Sequence, residues 1–190
     1  MNRPTVEEWA LDILRATQAR ATCDRGRCAA LILRDDRILA GGYVGSPRGM
    51  PHCDEEGHEF QETWVFSEAP PEDWIVGGGA GGGVAGGVGG PAAYEVEAGR
   101  FLVRKQSCIR TIHAEQNAIA WAAREGIALK GGTLYSTLFP CQSCAKLLMQ
   151  TGIEHVVADY DYHASGPSKA LFDAVGITHK IIRAGEAYKP

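Results

Sequence analysis

Hydrophobic positions recur along this chain with two different periods, which predict a mixture of helices and strands. From Thr5 to about Ala19, apolar residues return every three or four positions, as in an amphipathic helix with Thr5 as its N-cap. Two apolar runs, 28–33 and 37–43, flank Asp35-Asp36, and this turn chemistry predicts a β-hairpin. The first quarter of the chain therefore predicts one helix followed by two strands.

The second half continues as strands that alternate with helices. Strands are predicted at 133–139, 154–159 and 178–182, and helices at 111–126, 142–150 and 168–175. Alternation of this kind predicts an α/β domain, in which helices cover a mixed central sheet of about five strands. Active sites in such domains gather where strands end and helices begin.

One segment breaks this pattern. Between Gly77 and Gly90, ten of fourteen residues are glycine and none is charged. Such a stretch gains little from packing and loses much backbone freedom when ordered, so it predicts a flexible surface segment within an insertion at about 60–103. A dinucleotide-binding loop is disfavoured because no βαβ pattern flanks the glycines. The alternative is a flap that closes over a ligand or contacts a neighbouring subunit, bordered by Trp64, Phe66, Trp74 and Tyr94.

Composition and charge narrow the class of protein. A chain of 190 residues with 45% hydrophobic content can bury one sizeable core, so a single domain over 1–190 is expected. Lys and Arg number 19 against 23 Asp and Glu, without a basic tail, which argues against a nucleic-acid partner. Charges interrupt the first twenty residues, so we expect neither a signal peptide nor a membrane span, and a cytoplasmic location. Six cysteines in such a chain predict metal ligands or buried small residues rather than disulfides.

Two short motifs carry the strongest chemical signal, and both fall at predicted helix starts. His113, Cys141 and Cys144 offer three ligands for a catalytic zinc, which keeps a fourth position for water and lowers its pKa to about 7. Glu115 stands where a carboxylate can move protons between that water and a substrate. Helix dipoles at both places favour thiolates and developing negative charge. His-x-Glu followed by Pro-Cys-x-x-Cys is the signature of zinc nucleobase deaminases, so the motifs predict hydrolytic deamination with release of ammonia.

The remaining cysteines suggest a second metal site. Four residues border the hairpin, the following loop and the entrance to the His-x-Glu helix, and four such ligands would close a structural zinc site: Cys23, Cys53, His58 and Cys108. Cys28 and His52 are substitutes that the sequence leaves open. The alternative is that these are unrelated loop residues, because metal sites are identified by geometry as well as by count.

Four segments together resemble the deoxycytidylate (dCMP) deaminase family, which includes the competence-type deaminases. They read CDRGRC, GGYVGSPRGMPHCDE, CIRTIHAEQNAI and LYSTLFPCQSCAK, and the resemblance covers most of the chain except about 60–103. It implies a three-layer α/β/α cytidine deaminase-like fold, with catalytic zinc on His113, Cys141 and Cys144 and with Glu115 as proton shuttle. It further implies conversion of dCMP to dUMP for thymidylate supply, a homo-oligomer (a hexamer), dCTP and dTTP as effectors, and Mg²⁺ accompanying a nucleotide effector. Structural zinc in the region of Cys23, Cys53 and Cys108 also follows from the resemblance.

The chain departs from the family pattern in the loop after the hairpin. Where the family usually has GYNGSP, this sequence has Val44, which can neither donate nor accept a side-chain hydrogen bond. If the family asparagine holds the sugar or base, losing it costs about 1–3 kcal/mol, so either another group compensates for the lost contact or the substrate is different. Ser46 and Arg48 of this loop are candidate phosphate contacts, Arg48 because its planar fork matches phosphate oxygens. The alternative for Arg48 is a solvated surface arginine.

Three functions agree with these observations. The first is a deaminase acting on dCMP, or on a close relative such as dCTP or a 5-substituted dCMP. The second is a deaminase of bases within tRNA or single-stranded DNA, which the acidic charge balance disfavours. The third is a non-catalytic zinc-binding protein, which leaves Glu115 without a role.

Overall fold

The computed structural model describes residues 3–67, 93–97 and 100–189. These residues divide into two compact units, Met1–Gly57 with Arg110–Pro190, and His58–Ile109. The glycine-rich run at 77–90 and Trp74 of the predicted flap lie outside the described residues, as do the side chains of Phe66 and Tyr94. The single domain with an insertion therefore stays a prediction.

The helices and strands alternate along the chain as follows. In chain order they are α1 (Val6–Gln18), β1 (Ala29–Arg34), β2 (Arg37–Tyr43), α2 (Cys53–Glu56), β3 (Phe60–Ser67), β4 (Ala93–Glu97), β5 (Arg100–Cys108), α3 (Ala114–Glu125), β6 (Thr133–Leu138), α4 (Gln142–Thr151), β7 (His155–Tyr160), α5 (Gly166–Val175) and β8 (Thr178–Arg183). The elements predicted for the first unit are all present, with ends that differ by one or two residues, apart from α3, which begins three residues later, at Ala114.

The first unit is built on one five-stranded sheet in the order β2-β1-β6-β7-β8. β1 is antiparallel to both of its neighbours, whereas β6, β7 and β8 are parallel. The predicted mixed sheet of five strands is confirmed. Because α4 follows β6 directly, its first turn lies at the carboxyl edge of the parallel strands, where ligand sites form in such sheets.

Helices cover both faces of this sheet. Along β1, Ala30 and Ile32 point into the core beneath α3, α4 and α5, while Leu31 and Leu33 point into a second core against α1. This alternation is the period of a strand buried on both faces. The result is the predicted three-layer α/β/α arrangement, which holds both motif-bearing helices on one face.

Local sequence signals set several of these boundaries. Asp35 and Asp36 both have positive φ, 51° and 58°, as a two-residue hairpin turn requires. Thr5 caps α1, since its hydroxyl accepts a hydrogen bond from the Glu8 amide at 3.2 Å and its own amide donates to the Glu8 carboxylate at 2.7 Å. Both features follow from short-range turn and capping chemistry.

The second unit contains a three-stranded antiparallel sheet in the order β3-β5-β4. Its β3 and β5 pair along their length from Phe60 opposite Cys108 to Ser67 opposite Phe101. The sequence pattern predicts only an insertion in this region and does not predict these strands. Within the described part of the chain, no helix is both long and apolar enough to cross a membrane.

Gly42 sets how closely α3 approaches the sheet. A Cβ at this position would lie 2.4 Å from the carbonyl oxygen of Ala114 and 2.5 Å from the amide nitrogen of Ala118. Both atoms belong to helix backbone and cannot rotate away. We expect Gly42→Ala to lower the free energy of unfolding by about 1–3 kcal/mol or more, since α3 must shift off β2. Urea unfolding of the purified variant measures this loss.

The neighbouring Gly41 provides a matched control. A Cβ there would lie 3.1 Å from a methyl carbon of Leu31, the end of a side chain that can adjust. Gly41→Ala should therefore cost clearly less than Gly42→Ala. Equal losses for the two variants would contradict a specific backbone clash at Gly42.

Candidate active site

The first part of the site is the start of α3. His113 is the N-cap, with extended backbone at φ −71° and ψ 155°, and its amide donates to the Gln116 side-chain oxygen at 3.0 Å. The sequence pattern predicts a helix that starts at 111, which would place His113 inside the first turn. In the structure the helix begins at Ala114, and His113 lies one position before it. Glu115 is in the first turn and is 8% exposed. The N-cap position turns the imidazole out of the helix while Glu115 points into the protein.

The second part is the start of α4. Phe139 and Pro140 are fully buried between β6 and this helix, and the Phe139 amide donates to the Tyr160 carbonyl at 3.0 Å. Cys141 follows as the N-cap of α4, and Cys144 is buried within its first turn. The fixed end of β6 therefore determines where the two sulfur atoms lie.

The three predicted ligands converge. The Nδ1 atom of His113 lies 3.5 Å from the Cys141 sulfur and 3.4 Å from the Cys144 sulfur, and all three ligand atoms lie within 4.8 Å of one another. Tetrahedral zinc with Zn–S of about 2.3 Å and Zn–N of about 2.0 Å would separate sulfur and nitrogen by about 3.5 Å. The donor set and its spacing thus fit a zinc ion held by three protein ligands.

The two thiols differ in acidity. A hydrogen bond from Cys144 lowers the pKa of Cys141 to about 4, and the same bond, together with burial, raises the pKa of Cys144. The hydrogen bond to Cys141 also raises the pKa of His113. Because zinc requires both cysteines as thiolates, metal binding should release the proton that Cys144 keeps.

Glu115 lies against the ligand cluster. Its carboxylate oxygen is 3.7 Å from the Cys144 sulfur, and burial raises the pKa of this carboxyl above its ordinary value. A carboxyl group with a raised pKa accepts and returns protons more evenly near neutral pH. The arrangement can therefore support proton transfer beside a metal.

Two further side chains near this cluster were not assigned to it from the sequence. Burial, followed by the charge of Glu115, raises the pKa of Cys28 to about 12. Burial, followed by the charges of Cys141 and Cys144, raises the pKa of Tyr162, which packs against the core beneath α3 to α5. Tyr162 lies two residues after the parallel strand β7, and this place near a strand end was the sequence feature that could have identified it.

The residues of the predicted second metal site fall into two pairs. Cys23 and Cys53 lie in the first unit with their sulfur atoms within 4.8 Å, and the ligand atoms of His58 and Cys108 lie within 4.8 Å of each other in the second unit. The substitutes are placed differently: Nδ1 of His52 is 3.1 Å from the Thr22 hydroxyl, and neither it nor Cys28 belongs to a ligand cluster of the described residues.

The predicted substrate contacts follow β2. Val44 is half-buried, packs against the core beneath α3 to α5, and is held by backbone hydrogen bonds to Thr22 and Cys28. The Ser46 hydroxyl oxygen is buried, with no hydrogen-bond partner in the described part of the chain. Arg48 is exposed. Substrate contact by these three residues stays a prediction.

Comparison with known proteins agrees with this geometry. Residues 4–159 match the model of the cytidine and deoxycytidylate deaminase zinc-binding region. The chain is 30% identical to ComE operon protein 2 of Bacillus subtilis. The match covers 88% of this chain and 66% of that relative, so this chain spans just under two thirds of the relative's length. It is 31% identical to the deoxycytidylate deaminase of Mycobacterium phage D29, over 83% of this chain and 96% of the phage protein.

The comparison with solved structures concerns the fold. The dCMP deaminase of cyanophage S-TIM5, solved in complex with dCMP and dUMP, superposes with a TM-score of 0.60 at 19% identity, over 95% of this chain and 99% of that one. At this identity the likeness concerns the fold, and it confirms the predicted α/β/α arrangement. With the family model matching most of its length around His113, Cys141 and Cys144, the chain belongs to the cytidine and deoxycytidylate deaminase zinc-binding family.

Proposed function

We propose that this protein catalyses the zinc-dependent hydrolytic deamination of dCMP to dUMP, with release of ammonia. The observation that carries the proposal is the placement of Glu115 at 3.7 Å from a sulfur of the three-ligand cluster. A site that only stabilised the fold would not need a buried carboxyl beside it. The choice of dCMP is supported by relatives named deoxycytidylate deaminase, including those of phages T2 and D29.

The metal ligands, Glu115 and the first turns of α3 and α4 have separate roles in the proposed reaction. Zinc bound by His113, Cys141 and Cys144 would supply an acidified water molecule as the nucleophile. Glu115 takes a proton from the attacking water and passes it to the ring nitrogen. It then carries the proton of the newly added hydroxyl to the departing amine, so that ammonia leaves and a carbonyl remains on the ring. The first turns of α3 and α4 direct their positive dipole ends toward the site, which stabilises negative charge developing on the attacked ring.

Three alternatives to the deamination of dCMP can be tested directly. dCTP and a 5-substituted dCMP differ from dCMP only in phosphate count or in a ring substituent, and Val44 replaces the residue that the family resemblance places in this loop. Bases within tRNA or single-stranded DNA are the more distant alternative, because the same zinc chemistry serves them. A non-catalytic role is the third, and the buried Glu115 argues against it.

One assay separates these functions. Zinc-loaded protein is incubated with dCMP, dCTP, 5-methyl-dCMP, a tRNA and a single-stranded oligonucleotide, and ammonia release is measured. The proposal expects turnover of dCMP above all others. Preference for an oligonucleotide would replace it with the nucleic-acid alternative, and zinc-loaded protein inactive on every substrate would favour a non-catalytic role.

We further propose that a second, structural zinc binds Cys23, Cys53, His58 and Cys108. The support is that each unit already brings two of these ligands within 4.8 Å of each other. Elemental analysis should find two zinc ions per chain, and Cys53→Ala should reduce this to one. Cys28→Ala, a control at a cysteine outside either cluster, should retain both ions. One ion per chain in the wild type would contradict the second site.

The cytoplasmic location expected from the charged N-terminal segment stays a prediction. So do the features implied by the family resemblance: a hexameric homo-oligomer, dCTP and dTTP as effectors, Mg²⁺ accompanying a nucleotide effector, and a role in thymidylate supply.

A further inference from the structure

Tyr188, in the segment after β8, joins three elements of the first unit. Its hydroxyl accepts a hydrogen bond at 2.8 Å from the side-chain amide of Gln18, the last residue of α1, and donates one to the carbonyl of Arg27, just before β1. Its ring packs against the ring of Tyr160, at the end of β7, with the centroids 5.4 Å apart. Because β1 is antiparallel to β6 and β7 is parallel to it, these contacts lie at the carboxyl edge of the parallel strands.

The same hydroxyl is hydrogen-bonded to the thiol of Cys28. Burial raises the pKa of Tyr188 most, followed by the charge of Cys28 and by the hydrogen bond between the two side chains. A phenolic hydroxyl has one proton to donate and two lone pairs that accept. The proton goes to the Arg27 carbonyl and one lone pair accepts from Gln18, so the second lone pair is the one that accepts the Cys28 S–H.

Cys28 lies on the face of the sheet that α3 covers. Side chains alternate between the two faces along a strand, so Cys28 points the same way as Ala30, and it packs against the core beneath α3, α4 and α5. Ala114, the residue before Glu115, belongs to this core. Burial, followed by the charge of Glu115, raises the pKa of Cys28 to about 12. Cys28 therefore keeps its proton at neutral pH, near the carboxyl group that the proposed reaction uses.

A protonated thiol near Glu115 is a competing hydrogen-bond donor. A thiol that turned its proton to the Glu115 carboxylate would stabilise the charged form of that group. Glu115 would then take up a proton from water less readily, which slows general base catalysis. Tyr188 offers the thiol a different acceptor, an oxygen that is itself fixed by its hydrogen bonds to Gln18 and Arg27.

We propose that Tyr188 is a positioning residue that holds the Cys28 thiol away from Glu115, so that the Glu115 carboxyl group stays free to move protons during deamination. This inference rests on the proposed deaminase function. It gives the segment after β8 a role in catalysis that acts through Cys28 rather than through the zinc ligands or the substrate.

Tyr188→Phe tests this role because it removes the hydroxyl and keeps the ring that packs against Tyr160. We expect kcat for dCMP to fall about 3- to 10-fold, the effect of one redirected hydrogen bond, with KM and zinc content unchanged. Tyr160→Phe is the matched control and should keep the wild-type kcat, since the Tyr160 hydroxyl accepts from Arg183 at 2.5 Å instead. An unchanged kcat in Tyr188→Phe would contradict the proposal, whereas a zinc-loaded wild type inactive on dCMP would refute the proposed function.

A double variant separates positioning from a purely structural role. Cys28→Ala removes the competing donor, so it should keep a kcat close to the wild type and should restore the kcat of Tyr188→Phe when the two changes are combined. If Tyr188 only stabilised the fold, its replacement would cause the same loss in either background. Additive losses in the double variant, or a Cys28→Ala protein as slow as Tyr188→Phe, would overturn the proposal.

Infrared spectroscopy of the S–H stretching band identifies the acceptor of the Cys28 thiol without any turnover. The band of Cys28 is the one that disappears in Cys28→Ala. It should move to lower frequency in Tyr188→Phe, because a carboxylate is a stronger acceptor than a phenolic oxygen, and it should move less when Glu115→Gln is added. If Tyr188→Phe does not fold, Gln18→Ala, which loosens the Tyr188 hydroxyl, should give a smaller shift in the same direction. A band that stays at the wild-type frequency in the folded variant would contradict the proposal, whether or not the protein is a deaminase.

Discussion

Replacing Glu115 with glutamine should lower kcat for dCMP by about 10²- to 10⁴-fold, the usual contribution of a positioned general acid–base. Glutamine keeps the size and the hydrogen-bonding capacity of the side chain but cannot carry a proton between water, ring and amine. Zinc content should stay at the wild-type level, because Glu115 approaches the Cys144 sulfur at 3.7 Å without belonging to the ligand cluster. Steady-state rates measure the expected loss of kcat, and elemental analysis of the same samples measures the zinc content.

The control for this variant lies on the same helix. Glu125 is at the far end of α3, is exposed, and pairs with Arg124 at 2.8 Å. Glu125→Gln should retain full activity. If Glu115→Gln kept activity within tenfold of the wild type, another group would be moving the protons. If it lost its zinc, Glu115 would be part of the metal site rather than a proton carrier beside it.

Removing a sulfur ligand should have the largest effect of all. Cys141→Ala leaves two protein ligands, so we expect zinc at this site to be lost and deamination to fall below detection. Cys141 is the N-cap of α4 and only half-buried, so its truncation disturbs the core less than truncation of fully buried Cys144. Elemental analysis, ammonia release and thermal unfolding with and without added zinc follow these changes. Zinc should raise the melting temperature of the wild type more than that of Cys141→Ala.

One of the two residues between the cysteines, Ser143, provides a matched control. Ser143 is exposed and lies on the same turn of α4, so Ser143→Ala should keep both zinc and activity. Full activity of Cys141→Ala, with the metal still bound, would show that zinc does not depend on the Cys141 sulfur.

The first unit could be predicted well from sequence because its signals are short-range. The Asp35-Asp36 turn, the Thr5 cap and the glycine at the end of α4 each identify a boundary within a few residues. The zinc ligands could be predicted for the same reason. His113 and Cys141 each mark a helix start, and three-residue spacing places Cys144 beside Cys141. The predicted start of α3, at 111, was three residues too early, because helix propensity alone does not separate the residues before the N-cap His113 from the helix that follows it.

The features that could not be predicted from the sequence depend on contacts between residues far apart in the chain. The β3 and β5 strands pair Phe60 with Cys108 across a long, glycine-rich stretch, and no local period encodes such a pairing. The burial of the Arg110 side chain likewise arises from tertiary packing, so it could not be predicted from the sequence. The close approach of Gly42 to α3 belongs to the same class, since it requires the helix and strand to be assembled.

The most direct test of hydrolytic deamination at the His113, Cys141 and Cys144 site follows the oxygen atom. Zinc-loaded protein is incubated with dCMP in water enriched in ¹⁸O, and the product is examined by mass spectrometry while ammonia is quantified. We expect ¹⁸O in the uracil ring of dUMP at the carbon that carried the amino group, with one ammonia released per labelled product, and neither signal from Glu115→Gln within the same time. Zinc-loaded protein that forms no labelled dUMP, or that forms as much with Glu115→Gln, would contradict the account.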